Sequence, residues 1–91
     1  MIAKRVVLQG RVQGVGYRDW MIRTARDLGV AGWVRNRLDG SVEALVAGEA
    51  AVVEELLRRC RAGPPGARVD AVRETLADPP EEPGFRRRPT D

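Results

Sequence analysis

The apolar residues of the chain recur with two different spacings, and these spacings predict the secondary structure. In residues 4–12, Val6, Leu8 and Val12 alternate with other residues, which is typical of a strand with one buried face. After this stretch the apolar residues recur every three or four positions, so they share one face of a helix: Tyr17, Trp20, Met21, Ala25 and Leu28. Gly29 is placed to end that helix as its left-handed cap.

The remaining chain predicts three further strands and a second helix. Strands over residues 30–36 and 41–47 flank a turn at Asp39-Gly40. The second helix has its apolar positions at Ala51, Val53, Leu56, Leu57 and Cys60. Residues 63–66, with the sequence GPPG, end it. Residues 69–76 follow as a strand, and residues 85–88 form a short edge strand.

This order of elements predicts the fold class. Strand, helix, strand, strand, helix, strand is the order of an α+β, ferredoxin-like split βαβ sandwich. Its two helices are expected on one face of an antiparallel sheet of four to five strands, with the first and third strands as central neighbours. Ninety-one residues suffice for one domain, residues 1–91, and no linker divides them.

Composition narrows the chemistry. The single cysteine, Cys60, excludes an internal disulfide and a multi-cysteine metal site, and there is no histidine. We therefore expect no metal and no cofactor, and any reaction must use arginine, asparagine, carboxylates, the main chain or the substrate. No run of 18 apolar residues predicts a membrane span, and the first residues lack a signal-peptide core, so we expect a cytoplasmic protein.

The turn after the first strand, residues 10–18 with the sequence GRVQGVGYR, is the candidate ligand site. Its glycines allow a tight bend and a close approach to a ligand. The amides at the start of a helix have no partner within the helix, and the helix dipole adds positive charge there. With Arg18, they form a cradle for a phosphate-sized anion. A net charge of +3 suits an anionic ligand, whether a small phosphate or a nucleic acid.

Two other phosphate motifs fit the turn poorly. No Gly-Lys-Ser/Thr follows it, as a Walker A loop requires. Gly14 and Gly16 begin a dinucleotide-binding pattern, but Asp19 occupies the position of its third glycine. A plain glycine turn that only connects a strand to a helix is the remaining alternative from the residues alone.

Residues 10–18 and residues 32–43, with the sequence GWVRNRLDGSVE, resemble the two signature motifs of the acylphosphatases. The motifs stand in the same order and about one helix apart, and the resemblance covers nearly the whole chain. It implies the ferredoxin-like fold and metal-independent hydrolysis of the carboxyl–phosphate anhydride of small acyl phosphates, giving a carboxylate and inorganic phosphate.

The resemblance also assigns roles. Arg18 binds the substrate phosphate, and Asn36 holds the attacking water through its side-chain amide. The other substrate-binding positions are those of the loop: Arg11, Val12, Gln13, Gly14, Val15, Gly16 and Tyr17. A guanidinium grips two phosphate oxygens in a fork, and an amide offers both donors and an acceptor. Without this context, Asn36 is an ordinary turn asparagine.

Two other functions compete with this interpretation. Ferredoxin-like sheets also serve as RNA-binding modules, although the strands here show no RNP-like aromatic pair. Similar domains within longer proteins act on carbamoyl phosphate in a maturation pathway. We favour a monomer that acts on a small acyl phosphate and binds neither a membrane nor a nucleic acid.

The remaining notable residues are expected to be structural. We expect Trp20 and Trp33 to pack in the core or on the sheet, Cys60 to be a small buried residue, and Glu43 to lie on the surface.

Residues 85–88, near the end of the chain, differ from the pattern of the acylphosphatases. Many acylphosphatases end in Phe-x-Ile-Arg, whereas this chain has Arg87 at the apolar position. We expect Phe85 to pack and the residues from about Pro89 onward to be loose. The basic run Arg86 to Arg88 is a solvated edge or, alternatively, a nucleic-acid contact.

Overall fold

A computed structural model describes all of residues 1–91 and shows the predicted order of elements. The helices and strands are β1 (Ile2–Arg11), α1 (Tyr17–Leu28), β2 (Ala31–Asn36), β3 (Val42–Gly48), α2 (Ala50–Cys60), β4 (Arg68–Leu76) and β5 (Phe85–Arg87). Gly29 caps α1 with a φ of 75°, as predicted. No helix of the structure is long and apolar enough to cross a membrane.

The five strands form one sheet in the order β4-β1-β3-β2-β5, so β1 and β3 are central neighbours as predicted. The first four strands pair in antiparallel fashion, but β5 runs parallel to β2. The prediction of an antiparallel sheet is therefore wrong for β5, and the sheet is mixed. The reason is topological. β4 ends beside the start of β1, and residues 77–84 cross that end of the sheet, so β5 begins beside the start of β2.

The core lies between the sheet and the two helices. Val6 and Leu8 of β1 face it from the sheet, and both are fully buried. The buried residues of α1 are Tyr17, Met21 and Ala25, and those of α2 are Val53, Leu56, Leu57 and Cys60. Phe85 is buried as predicted, whereas Ala51 of the predicted apolar face is exposed.

Tyr17 joins the beginning of α1 to the end of α2. Its hydroxyl donates a hydrogen bond to the main-chain oxygen of Cys60. Gly63 lies so close that a Cβ atom there would stand 2.7 Å from the Tyr17 ring. Burial raises the pKa of both Tyr17 and Cys60, the latter to about 12, so both remain neutral at physiological pH. This contact holds the start of α1 against the core.

Glu43 is buried on the sheet face opposite the helices, so the prediction of a surface residue is wrong. Its side chain is only 1% exposed and forms ion pairs with Arg5 of β1 and Arg35 of β2, the second at 2.7 Å. Burial opposes ionisation, but the hydrogen bonds and charges of Arg35 and Arg5 outweigh it and lower the pKa of Glu43. Alternation placed Glu43 on the outer face correctly, but the two long arginine side chains cover it.

The last residues are not loose, contrary to the prediction. The Arg88 N–H donates to the main-chain oxygen of Val34 at 2.9 Å, which continues the β5–β2 pairing. The Asp91 N–H donates to the oxygen of Asn36, and the Leu38 N–H donates to the oxygen of Asp91. The Asp91 carboxylate also pairs with Arg35 at 3.3 Å. Residues 88–91 therefore lie beside the end of β2 and supply hydrogen-bond partners to the main-chain groups of Val34, Asn36 and Leu38.

Glu43→Gln is expected to lower the free energy of unfolding by about 1.5–3 kcal/mol at pH 7, because two guanidiniums lose a charged acceptor. Since the folded-state pKa of Glu43 is lowered, its contribution is present above the unfolded-state value of about 4.3 and is lost as the pH falls through the folded-state pKa. The gap between wild type and variant should therefore shrink from pH 7 to pH 3 in urea titrations.

The matched control for this prediction is Glu54→Gln, because Glu54 is exposed on α2 and has no ion pair. It should unfold like the wild type at both pH values. Equal stability of Glu43→Gln and wild type at pH 7 would show that the Arg5–Glu43–Arg35 cluster adds nothing.

Candidate active site

The loop between β1 and α1 presents a row of main-chain N–H groups that have no partner in the fold. Gly14 and Gly16 adopt φ angles of 75° and 76°, a left-handed conformation that favours glycine. The Trp20 N–H makes the first bond of α1, to the oxygen of Gly16 at 3.0 Å. None of the N–H groups from residue 13 to residue 19 donates to another main-chain oxygen. They remain available to an anion at the start of the helix.

A small cavity of about 130 Å³ lies at this loop and collects most of the predicted site residues. The cavity is open to solvent on one side and has room for a small polar ligand. The lining residues are Val12, Gln13, Gly14, Gly16, Tyr17, Arg18, Asp19, Asn36 and Arg87. Arg18 and Asn36, predicted from separate motifs, thus meet in one cavity.

Two predicted positions do not line the cavity. Arg11 is the last residue of β1, and its side chain is exposed. Its main chain lies opposite Arg68 in the β1–β4 pairing. The Val15 side chain packs against the hydrophobic core instead. The glycines on either side of Val15 turn the main chain toward the cavity while its side chain anchors the loop.

Asn36, the last residue of β2, carries the clearest sign of function. Its side-chain oxygen Oδ1 is buried and has no hydrogen-bond partner, the one such side-chain atom in the protein. A buried acceptor without a partner costs about 1–3 kcal/mol, so folded proteins rarely keep one without a use. Its position in the cavity indicates a polar group held ready for a ligand.

Gln13 ties the loop to the turn that follows Asn36. Its Nε2 atom donates two hydrogen bonds of 2.8 Å, to the main-chain oxygens of Arg37 and Ser41. The turn is itself braced by Asp39, which accepts hydrogen bonds from the Ser41 hydroxyl and N–H; these lower the pKa of Asp39. The Gln13 side chain thereby sets the distance between the loop that carries Arg18 and the strand end that carries Asn36.

Two residues that line the cavity, Asp19 and Arg87, were not predicted as site residues from the sequence. Their side chains form an ion pair between α1 and β5. One signal was available, because Arg87 replaces the apolar residue expected from the resemblance. Arg87 shares one face of β5 with the buried Phe85, because side chains alternate along a strand. A charged residue on such a face indicates that this end of the strand meets water or a ligand.

The cavity favours an anion. Its lining carries two guanidiniums, one carboxylate and free N–H groups, and the start of α1 adds the positive end of the helix dipole. No cluster of three or more His, Cys, Asp or Glu side chains stands anywhere in the structure. Fold and site together define a small α+β domain with an anion-binding loop at the start of a helix.

Comparisons with known proteins agree with this class. The acylphosphatase family model matches residues 4–87. The curated acylphosphatase of Acidiphilium cryptum is 66% identical over 90 residues, which are 99% of both chains. The chain therefore belongs to the acylphosphatase family, and it is a hydrolase that cleaves acyl phosphates.

Solved structures show the same relationship. The crystal structure of acylphosphatase from Bacillus subtilis superposes with a TM-score of 0.89 at 33% identity, over 94% of this chain and 97% of that one. Full-length HypF, in a phosphate- and nucleotide-bound form, contains a similar domain with a TM-score of 0.88 at 25% identity. That match covers 99% of this chain but 12% of the HypF chain.

Gln13→Ala is expected to lower the free energy of unfolding by about 1–3 kcal/mol, since two hydrogen bonds between the loop and the turn are lost. The oxygens of Arg37 and Ser41 each keep a main-chain donor, the N–H of Gly40 and of Arg37, so the turn itself should persist. It should also lower kcat for acyl phosphate hydrolysis, because Arg18 and Asn36 would no longer keep a constant separation. Urea unfolding and steady-state kinetics measure the two effects. Gln9→Ala is the matched control, because the exposed Gln9 side chain makes no hydrogen bond; equal behaviour of both variants would contradict this role for Gln13.

Proposed function

We propose that the cavity holds the phosphoryl group of the acyl phosphate, with Asn36 orienting the water that attacks phosphorus. The Arg18 guanidinium and the free N–H groups of residues 13–19 donate hydrogen bonds to the phosphoryl oxygens. The observation that carries the proposal is the meeting of Arg18, the loop and the unpartnered Asn36 Oδ1 atom in one small cavity. The acyl group extends toward solvent, through the open side of the cavity.

The reaction balances without a covalent enzyme intermediate. The water oxygen forms a bond to phosphorus as the bond from phosphorus to the carboxyl oxygen breaks, and the carboxylate leaves with the electron pair. An acyl phosphate dianion and water thus give a carboxylate monoanion and dihydrogen phosphate. Because the carboxylate is a good leaving group, positioning and charge stabilisation suffice for catalysis.

The proton of the attacking water goes to a phosphoryl oxygen of the substrate. The chain contains no histidine to accept it. Asp19 is the one carboxylate that lines the cavity, and Arg87 engages it in an ion pair. Asn36 has no basic group, so it contributes position and hydrogen bonds rather than proton transfer.

The enzyme works without a metal, as a monomer in the cytoplasm. The guanidiniums of Arg18 and Arg87 and the positive end of the α1 dipole supply the charge at the cavity that a metal would otherwise bring. Only three large apolar residues are exposed, Met1, Leu38 and Leu76, which is few for the interface of a stable dimer. Cys60 is a buried free thiol, as suits a reducing compartment.

An RNA-binding role has less support. Trp33 is the aromatic residue of the open sheet face, but the guanidiniums of Arg35 and Arg88 already lie over its ring, 4.9 and 4.7 Å from the centroid. A stacking platform needs ring faces that are free for bases. This contact therefore fits a packing role for Trp33.

Arg18→Ala and Asn36→Ala are each expected to lower kcat/KM for benzoyl phosphate by about 10²–10³-fold, the usual effect of losing one group that stabilises or positions the transition state. Loss of ultraviolet absorbance with EDTA present measures the rate and tests metal independence. Arg23→Ala is the matched control, because Arg23 is exposed on the same helix and has no ion pair. Full activity of Arg18→Ala would sink the proposed phosphate site, and full activity of Asn36→Ala would remove its role with water.

A further inference from the structure

We infer that Arg87 is a second guanidinium of the phosphate site and contacts the bound phosphoryl group directly. The inference rests on the proposed function, in which that group occupies the cavity at the start of α1. Arg87 lines the same cavity as Arg18 and Asn36. The ion pair with Asp19 brings the Arg87 guanidinium to the first turn of α1, the end of the helix at which the proposed function places the phosphoryl group.

The fold holds Arg87 in this position from both sides. Its main chain pairs with Val34 of β2, two residues before Asn36, and the buried Phe85 anchors the start of β5. Alternation along β5 places Phe85 and Arg87 on the helix-facing side of the sheet and Arg86 on the opposite side. Arg86 accordingly binds Glu82 and the main-chain oxygen of Pro83, and it does not line the cavity.

The ion pair with Asp19 leaves Arg87 free to bind a second anion. Only its Nη2 atom engages the Asp19 carboxylate, whereas a guanidinium has five N–H donors. Asp19 itself lies in the first turn of α1, next to Arg18, where an unpaired carboxylate would repel a phosphate. Arg87 therefore has two effects, which are neutralising Asp19 and donating to the ligand.

A double-mutant cycle separates these two effects. Binding of inorganic phosphate is measured by titration calorimetry on the intact protein for wild type, Arg87→Leu, Asp19→Asn and the double variant. If Arg87 contacts phosphate, Arg87→Leu should raise the Kd about five- to tenfold in the wild type and at least threefold in the Asp19→Asn background. No effect in the Asp19→Asn background would overturn the inference, because it would show that Arg87 only neutralises Asp19.

Kinetics and controls complete the test. Arg87→Leu should raise KM for benzoyl phosphate with little change in kcat, Arg87→Lys should recover part of the loss, and the melting temperature should stay near that of the wild type. Arg86→Leu, the neighbour on the opposite face, should bind phosphate like the wild type. A wild type that binds phosphate but hydrolyses nothing would refute the proposed function alone, whereas active enzyme with unchanged phosphate binding in Arg87→Leu would refute only the role of Arg87.

Discussion

The site depends on keeping the main-chain N–H groups at the start of α1 free of partners within the fold. A helix offers such groups only at its first turn, and here two left-handed glycines extend the row back through residue 13. The cradle is rigid because its surroundings are: Val15 packs on the core, and Tyr17 bonds to the end of α2. Preorganised donors need no rearrangement when a charged ligand arrives, which is the usual basis of electrostatic catalysis.

A second constraint links this cradle to Asn36. The cradle follows β1 and Asn36 ends β2, two strands that β3 separates in the sheet, and two hydrogen bonds from Gln13 join the loop to the turn after Asn36. The Gln13 side chain therefore contributes to the geometry of the site, while its main-chain N–H has no partner within the fold. A loop residue such as Gln13 can contribute to a site by joining two of its parts, without any contact with the substrate.

Charge pairing follows the same logic in two other places. Glu43 is buried only because Arg5 and Arg35 close over it, and this cluster fastens three strands on the face away from the helices. At the rim of the cavity, Asp19 and Arg87 join α1 to β5. A chain with 16 basic residues and 13 acidic ones has many such pairs to choose from, and the fold decides which of them meet.

The sequence by itself determined the order of elements, the central pairing of β1 with β3, the helix faces and the glycine loop. These features follow from the spacing of apolar residues and from backbone preferences, both of which depend on neighbouring residues in the sequence. Arg18 and Asn36 were proposed as site residues from two sequence motifs whose resemblance to a family supplied the roles, and the structure places both at one cavity.

Tertiary structure alone decided the parallel pairing of β5, the burial of Glu43, the docking of Asp91 and the arrival of Arg87 at the cavity. Each of these depends on which distant segments meet, as with Asp19 and Arg87, which are 68 positions apart in the chain. Hydrophobic spacing does not show which distant segments come into contact. The partners of long polar side chains depend on the arrangement of the strands in the folded protein.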